Sequence, residues 1–213
     1  MSVGVPEAGV DSAILGTFRD VEQPGEMVGD YVAVDGPEYC TLELLPVQRQ
    51  DAGMRPLTAD DIRSSFVNAT PEQLDRLPLP GLHETIWHER EFLGWRDPQA
   101  ARLGYIVHWA GDRPVGVVVR AASGGLTRGI AAMCSFCRSS QPATQVRMFS
   151  APRAGEAGLN GNTIGTYICE DLACPMLIRI TPSQPLQPDL VETRSQRLLE
   201  RVHGFTADIL KTA

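Results

Sequence analysis

Four cysteines in two close pairs constrain this chain more than any other feature. They are Cys134-x2-Cys137 and Cys169-x4-Cys174, with 31 residues between the pairs. Two intervening residues let both sulfurs of a pair turn toward one ion while backbone amides point at them. Two such pairs supply the four donors of a tetrahedral zinc site. Four protein thiolates leave no coordination position open, so the expected cofactor is one structural Zn2+ on Cys134, Cys137, Cys169 and Cys174. Other chemistry remains open to four cysteines. They could form two disulfides, or an iron–sulfur cluster. A redox pair of the thioredoxin type needs a βαβ context that the flanking sequence lacks. The compartment weighs against disulfides. The N-terminus shows no basic region followed by an apolar one, and apolar runs such as Val115 to Val119 are far short of a membrane span. A cytoplasmic location is expected, where paired cysteines are more often ligands.

The elements around the cysteines follow from pattern. Gln145 to Phe149 alternates apolar and polar residues and predicts a strand. Thr163 to Ile168 predicts its partner, and Pro152, Gly155, Gly158 and Gly161 predict a long turn between them. Asp171-Leu-Ala-Cys174 predicts the start of a helix running toward Arg179, with Cys174 in its first turn. Free amides and the helix dipole favour a thiolate there. Knuckle, hairpin and helix N-terminus, in that order, define a treble-clef zinc finger.

Upstream, Thr58-x-x-Asp61 forms a capping box ahead of Ile62, Phe66 and Ala69, so a helix is expected over 59–68. Thr70-Pro71 starts a second short helix, which Pro78 and Pro80 stop. Trp87, Phe92, Leu93 and Trp95 are expected to pack under the sheet. Tyr105–Trp109 and Val115–Arg120 predict a β-hairpin. Downstream, Thr181 to Pro188 carries three prolines and reads as a linker. Asp189 then caps a helix whose stripe of Val191, Leu198, Val202, Phe205 and Ile209 packs back on the domain. The fold class is therefore α+β. Short N-terminal helices precede a small antiparallel sheet, a treble-clef zinc finger and a C-terminal helix.

Charge is unevenly spread. Residues 1–53 hold ten acidic side chains against Arg19 and Arg49, a balance of −8; residues 54–213 hold sixteen acidic and seventeen basic, a balance of +1. The leader also lacks sustained periodicity, which predicts a disordered or loosely ordered extension with Cys40 as a spectator. Met54 reads as the natural start of the domain. The expected organisation is 1–53 extension, 54–100 helices and aromatic connector, 101–182 hairpin and zinc domain, 183–213 linker and final helix. Between Arg113 and Cys169 six arginines face a single acid, Glu156. Such a stretch suits an acidic protein surface or a phosphate backbone.

No enzyme constellation is present. There is no phosphate loop, Rossmann glycine pattern or nucleophile elbow. His83 and His88 sit beside a Glu, but at i and i+5 rather than the i and i+4 of a zinc-protease helix. His108 reads as a satisfied strand histidine.

Several segments taken together resemble the bacterial elongation-factor-G-binding family. They are Pro56-Leu-Thr with Ile62-Arg and Phe66-Val-Asn; Phe92-Leu-Gly-Trp-Arg-Asp-Pro98; Met133-Cys-Ser-Phe-Cys137; Ala151-Pro-Arg-Ala-Gly155; Gly161-Asn with Gly165-Thr-Tyr-Ile-Cys169; and Asp171-Leu-Ala-Cys174. The best-known members confer fusidic acid resistance and end in a treble-clef zinc finger. The sequence departs from them in two respects: two short helices replace a longer bundle, and all four candidate ligands are cysteine where some members use a histidine. The resemblance implies a protein that docks on elongation factor G and promotes its release from stalled ribosomes, without bond making. The contacts expected from it are Arg138, Arg147, Arg153 and Tyr167. The alternative is a ribosome-associated module that binds RNA directly through the basic stretch.

Overall fold

The computed structural model describes residues 53–127, 129–180 and 188–211. The expectations for 1–52, including Cys40, and for most of the proline linker lie outside these residues. Among the described residues no helix is long and apolar enough to cross a membrane.

The N-terminal helices form where the caps place them. Helix α1 spans Ala59–Ser65, with the Thr58 hydroxyl accepting from the Asp61 amide at 3.1 Å and the Asp61 carboxylate accepting from the Thr58 amide at 2.9 Å. It ends three residues before the expected limit. Phe66 turns extended and bridges Gly116, and the Val67 amide donates to the Gly116 carbonyl at 2.9 Å. Pairing with the sheet thus outcompetes one more helical turn. Helix α2, Pro71–Asp75, repeats the capping box with Thr70 and Gln73.

The sheet has five antiparallel strands in the order β1-β2-β3-β6-β7: β1 Leu93–Arg96, β2 Leu103–Ala110, β3 Arg113–Ala121, β6 Val146–Pro152 and β7 Thr163–Cys169. A separate ribbon pairs β4, Ala131–Met133, with β5, Ser140–Pro142. Leu93 and Trp95 therefore lie within the sheet as strand β1, and that strand's hairpin with β2 runs through residues 100 and 101. Side chains alternate faces along a strand. Leu93, Trp95, Tyr105, Val107 and Val118 meet Met54, Leu57, Ile62 and Leu77 on one face. Ile106, Val117, Val119, Phe149 and Ile168 occupy the other, under the C-terminal helix α5, Pro188–Leu210. Phe92 belongs to this second face and packs edge-on against Phe136, with centroids 6.2 Å apart.

Two local details differ from expectation. The turn between β6 and β7 contains a short helix, α3, Gly155–Leu159. Gly158 permits it, because a Cβ there would fall 1.9 Å from the Arg153 carbonyl oxygen. Helix α5 spans Pro188–Leu210, so Asp189 lies inside its first turn. The apolar stripe performs as expected: Leu198, Val202 and Ile209 are fully buried, and Gly204 does not interrupt the helix.

His108 is buried where β2 meets α5. Its Nε2 lies 3.0 Å from the Thr206 hydroxyl and its Nδ1 3.2 Å from the Trp109 carbonyl, with the His203 ring 4.8 Å away. Burial pushes its pKa down to about 4, against the pull of the Trp109 carbonyl. The unfolded chain carries an ordinary imidazole near 6.5, so it takes up a proton that the folded chain refuses. Stability from this group is complete above that value and is lost as pH falls toward about 4, by up to roughly 3 kcal/mol. NMR of the His108 ring should show a neutral imidazole at about pH 5.5. A ring protonated at that pH would contradict the buried assignment.

Candidate metal centre

Three pieces of backbone bring the cysteines together. The β4–β5 ribbon carries Cys134 to Ser139 as its turn, closed by the Cys134 amide on the Ser139 carbonyl at 3.2 Å. The Arg138 amide donates to the Cys134 carbonyl at 3.0 Å, with Arg138 itself left-handed at φ 60°. Cys169 is the last residue of β7. Leu172 is then left-handed at φ 60°, and the Asp171 carboxylate accepts from the Ala173 amide at 3.1 Å. That turn delivers Cys174 as the first residue of α4, Cys174–Leu177. The helix is shorter than expected. Beyond it, Arg179 and Ile180 continue in tighter turns through bonds to Met176 and Leu177.

All four sulfurs lie within 4.8 Å of one another. Cys134 to Cys174 and Cys137 to Cys169 are each 3.6 Å, and Cys169 to Cys174 is 3.5 Å. Thiolates about 2.3 Å from one tetrahedral ion stand roughly 3.8 Å apart, so the spacing fits a single zinc. None of the four is in a disulfide. Cys134, Cys169 and Cys174 are fully buried, and Cys137 is half-buried. Proton affinity points the same way. Hydrogen bonding with Cys134 raises the Cys169 and Cys174 thiols, while Cys137 is held far below an ordinary thiol by bonds from Cys134 and its other neighbours. A cluster this compact does not shed all its protons unaided; a dication binds all four as thiolates. Zinc there supplies rigid cross-linking of three backbone segments, with no open coordination position.

The centre is seated firmly on the fold. Leu172 packs against the sheet at Gly94, where a Cβ would stand 2.6 Å from the Leu172 carbonyl oxygen and 2.8 Å from Phe92. Gly94→Ala should therefore lose about 1–3 kcal/mol of stability, read by chemical denaturation of the zinc-loaded chain. An unchanged midpoint would contradict the close approach. Arg201 of α5 donates to the Phe136 carbonyl inside the knuckle at 2.7 Å. Buried Glu91 receives Arg179 through two bonds at 2.8 and 3.0 Å and the Ser195 hydroxyl at 2.6 Å, tying the segment before β1 to the turns after α4 and to α5.

The four residues expected to meet a partner have different settings. Arg138 is exposed on the knuckle. Tyr167 is 38% exposed, on the face of β7 opposite buried Ile168. Arg147 is paired with Glu170, which Arg96 also contacts at 3.1 Å. Arg153 donates to the Asp208 and Lys211 carbonyls at 2.7 and 3.0 Å, closing the C-terminal end of α5. His83 and His88 are both exposed, in separate short turns. Sequence reasoning missed Glu91, Ser139 and Gln141.

A closed four-thiolate centre between a knuckle, a hairpin strand and a helix N-terminus is a treble-clef zinc finger of the structural kind. The family model described as FBP C-terminal treble-clef zinc-finger matches residues 61–209, and the chain belongs to that family. Among solved structures, the fusidic acid resistance protein FusC is similar at 17% identity and a TM-score of 0.41. The match covers 67% of this chain and 59% of FusC. No curated protein matches.

Proposed function

We propose that this protein docks on translation elongation factor G and promotes its departure from ribosomes on which it has stalled. Membership of the FBP zinc-finger family supports this reading. The observation that carries it is the closed metal centre, which can hold a surface but offers no position for a reacting group. The body is residues 54–213, preceded by the acidic extension 1–53. Arg138 and Tyr167 are the leading contacts, because both are exposed beside the rigid knuckle. Arg147 and Arg153 contribute charge from positions they share with internal partners. Such a protein works in the cytoplasm, makes and breaks no bonds, and meets the ribosome through the factor.

Sedimentation of ribosomes stalled with factor G and fusidic acid tests the proposal. Adding the zinc-loaded chain should move the factor from the ribosomal pellet to the supernatant. Arg138→Glu should weaken this several-fold, mainly through slower association. A factor that stays pelleted at saturating protein would contradict the proposal. Direct, strongly salt-dependent binding of the chain to bare ribosomal RNA would favour the RNA-binding reading instead.

A further inference from the structure

Cys137 differs from the other three ligands in two ways. It alone retains exposure to solvent. It is also the one of the four with a hydroxyl partner, its Sγ lying 2.9 Å from the Ser139 oxygen, while Cys169 receives the Gln141 amide at the longer distance of 3.3 Å. The Ser139 hydroxyl has a second partner. The Gln141 side-chain amide donates to the Ser139 oxygen at 2.7 Å and lies 3.3 Å from the Cys169 sulfur. A zinc-held Cys137 thiolate has no proton to give, so the Ser139 hydroxyl, whose oxygen accepts from Gln141, donates to it. Gln141, Ser139 and the two thiolates thus form one directed relay along β5 and the knuckle. Among the described residues no carboxylate is bonded to any of its members, and the nearest guanidinium in sequence, Arg138, is exposed.

We infer that Cys137 is the modification site of the zinc centre, the thiolate at which soft electrophiles enter, and that Ser139 and Gln141 are positioning residues that set its reactivity. A hydrogen bond to a metal-held thiolate withdraws electron density from sulfur and lowers its nucleophilicity. The exposed corner therefore needs such a donor, whereas the three fully buried sulfurs are guarded by packing. The reaction is balanced with an alkyl halide. A sulfur lone pair forms a C–S bond, the halide leaves with its electron pair, and the alkylated sulfur, now a neutral thioether, gives up the zinc. The inference rests on zinc occupancy and is independent of the partner.

The test uses the full chain at one zinc per molecule, iodoacetamide in excess, and a chromophoric chelator to follow released zinc. Peptide mass spectrometry after brief treatment locates the first adduct. The first carbamidomethyl group should fall on Cys137, and release should scale with iodoacetamide concentration. Ser139→Ala should release zinc about tenfold faster and Gln141→Leu should also accelerate release, both with unchanged initial zinc content. Ser139→Thr, which keeps the hydroxyl, should retain the wild-type rate. A first adduct on another cysteine, release independent of reagent, or rates in Ser139→Ala and Gln141→Leu no faster than wild type would overturn the inference. Acceleration of Ser139→Thr to the alanine rate would overturn the role of the hydroxyl.

Discussion

Replacing Cys174 with serine should remove zinc from the protein and unfold the segment from about residue 130 to 180. Cys174 has no solvent exposure and sits in the core with Leu172, Ile178 and Phe136. Its sulfur is within 3.6 Å of both Cys134 and Cys169, so its loss deprives the ion of the ligand that joins α4 to the knuckle. Serine supplies a harder, less acidic donor and leaves a buried hydroxyl in its place. Local secondary structure cannot compensate. Helix α4 is four residues long, and each strand of the β4–β5 ribbon only three. Pieces of that size do not persist without an anchor. Structural zinc contributes roughly 10–16 kcal/mol of apparent binding energy in small modules, more than a domain's usual net stability. Metal analysis should fall from one zinc per chain to none, and limited proteolysis should gain cuts within 130–180 that the wild type lacks. Retention of one tightly held zinc in Cys174→Ser would contradict the four-thiolate centre.

The second large effect is expected at Glu91. Its carboxylate has no solvent exposure and accepts both Arg179 nitrogens and the Ser195 hydroxyl. Breaking a buried pair by removing one partner costs about 3–5 kcal/mol, because the remaining charge is stranded. Arg179 retains the Pro175 carbonyl at 2.7 Å, which does not neutralise it. Glu91→Ala should therefore lower the melting temperature by roughly 10 °C. Zinc content should stay at one, since no ligand is touched. Glu91→Gln, which keeps the shape and one acceptor, should fall between the two. The experiment is a thermal melt of zinc-loaded protein at neutral pH. A shift of less than about 2 °C for Glu91→Ala would show that the site is not load-sensitive.

Much of this organisation is legible in local sequence, and the reasons are physical. Cysteine spacing reports a tetrahedral site because few other arrangements use it. The Thr58 and Thr70 caps act within three residues, so their helices start where the sequence places them. The β6–β7 hairpin and the apolar stripe of α5 are set by periodicity, which burial then uses. What stays hidden is long-range. Glu91 finds Arg179 88 residues away and Ser195 104 residues away, and no local pattern announces either meeting. The end of α1 depends on Gly116, and the strand character of Leu93 and Trp95 depends on Tyr105 and Val107. The relay through Ser139 and Gln141 is near in sequence yet equally silent, because a hydroxyl and an amide on a turn carry no spacing signature. Arginine count likewise reveals a basic stretch but not that Arg153 caps α5.

The proposed function has a zinc-held platform binding elongation factor G. The most direct measurement is a binding isotherm between the zinc-loaded full chain and purified factor, at low and physiological salt. A saturable one-to-one complex that weakens as salt rises and disappears in zinc-free Cys174→Ser is expected. No complex at low salt with fully zinc-loaded protein, or equal binding by the zinc-free variant, would contradict it.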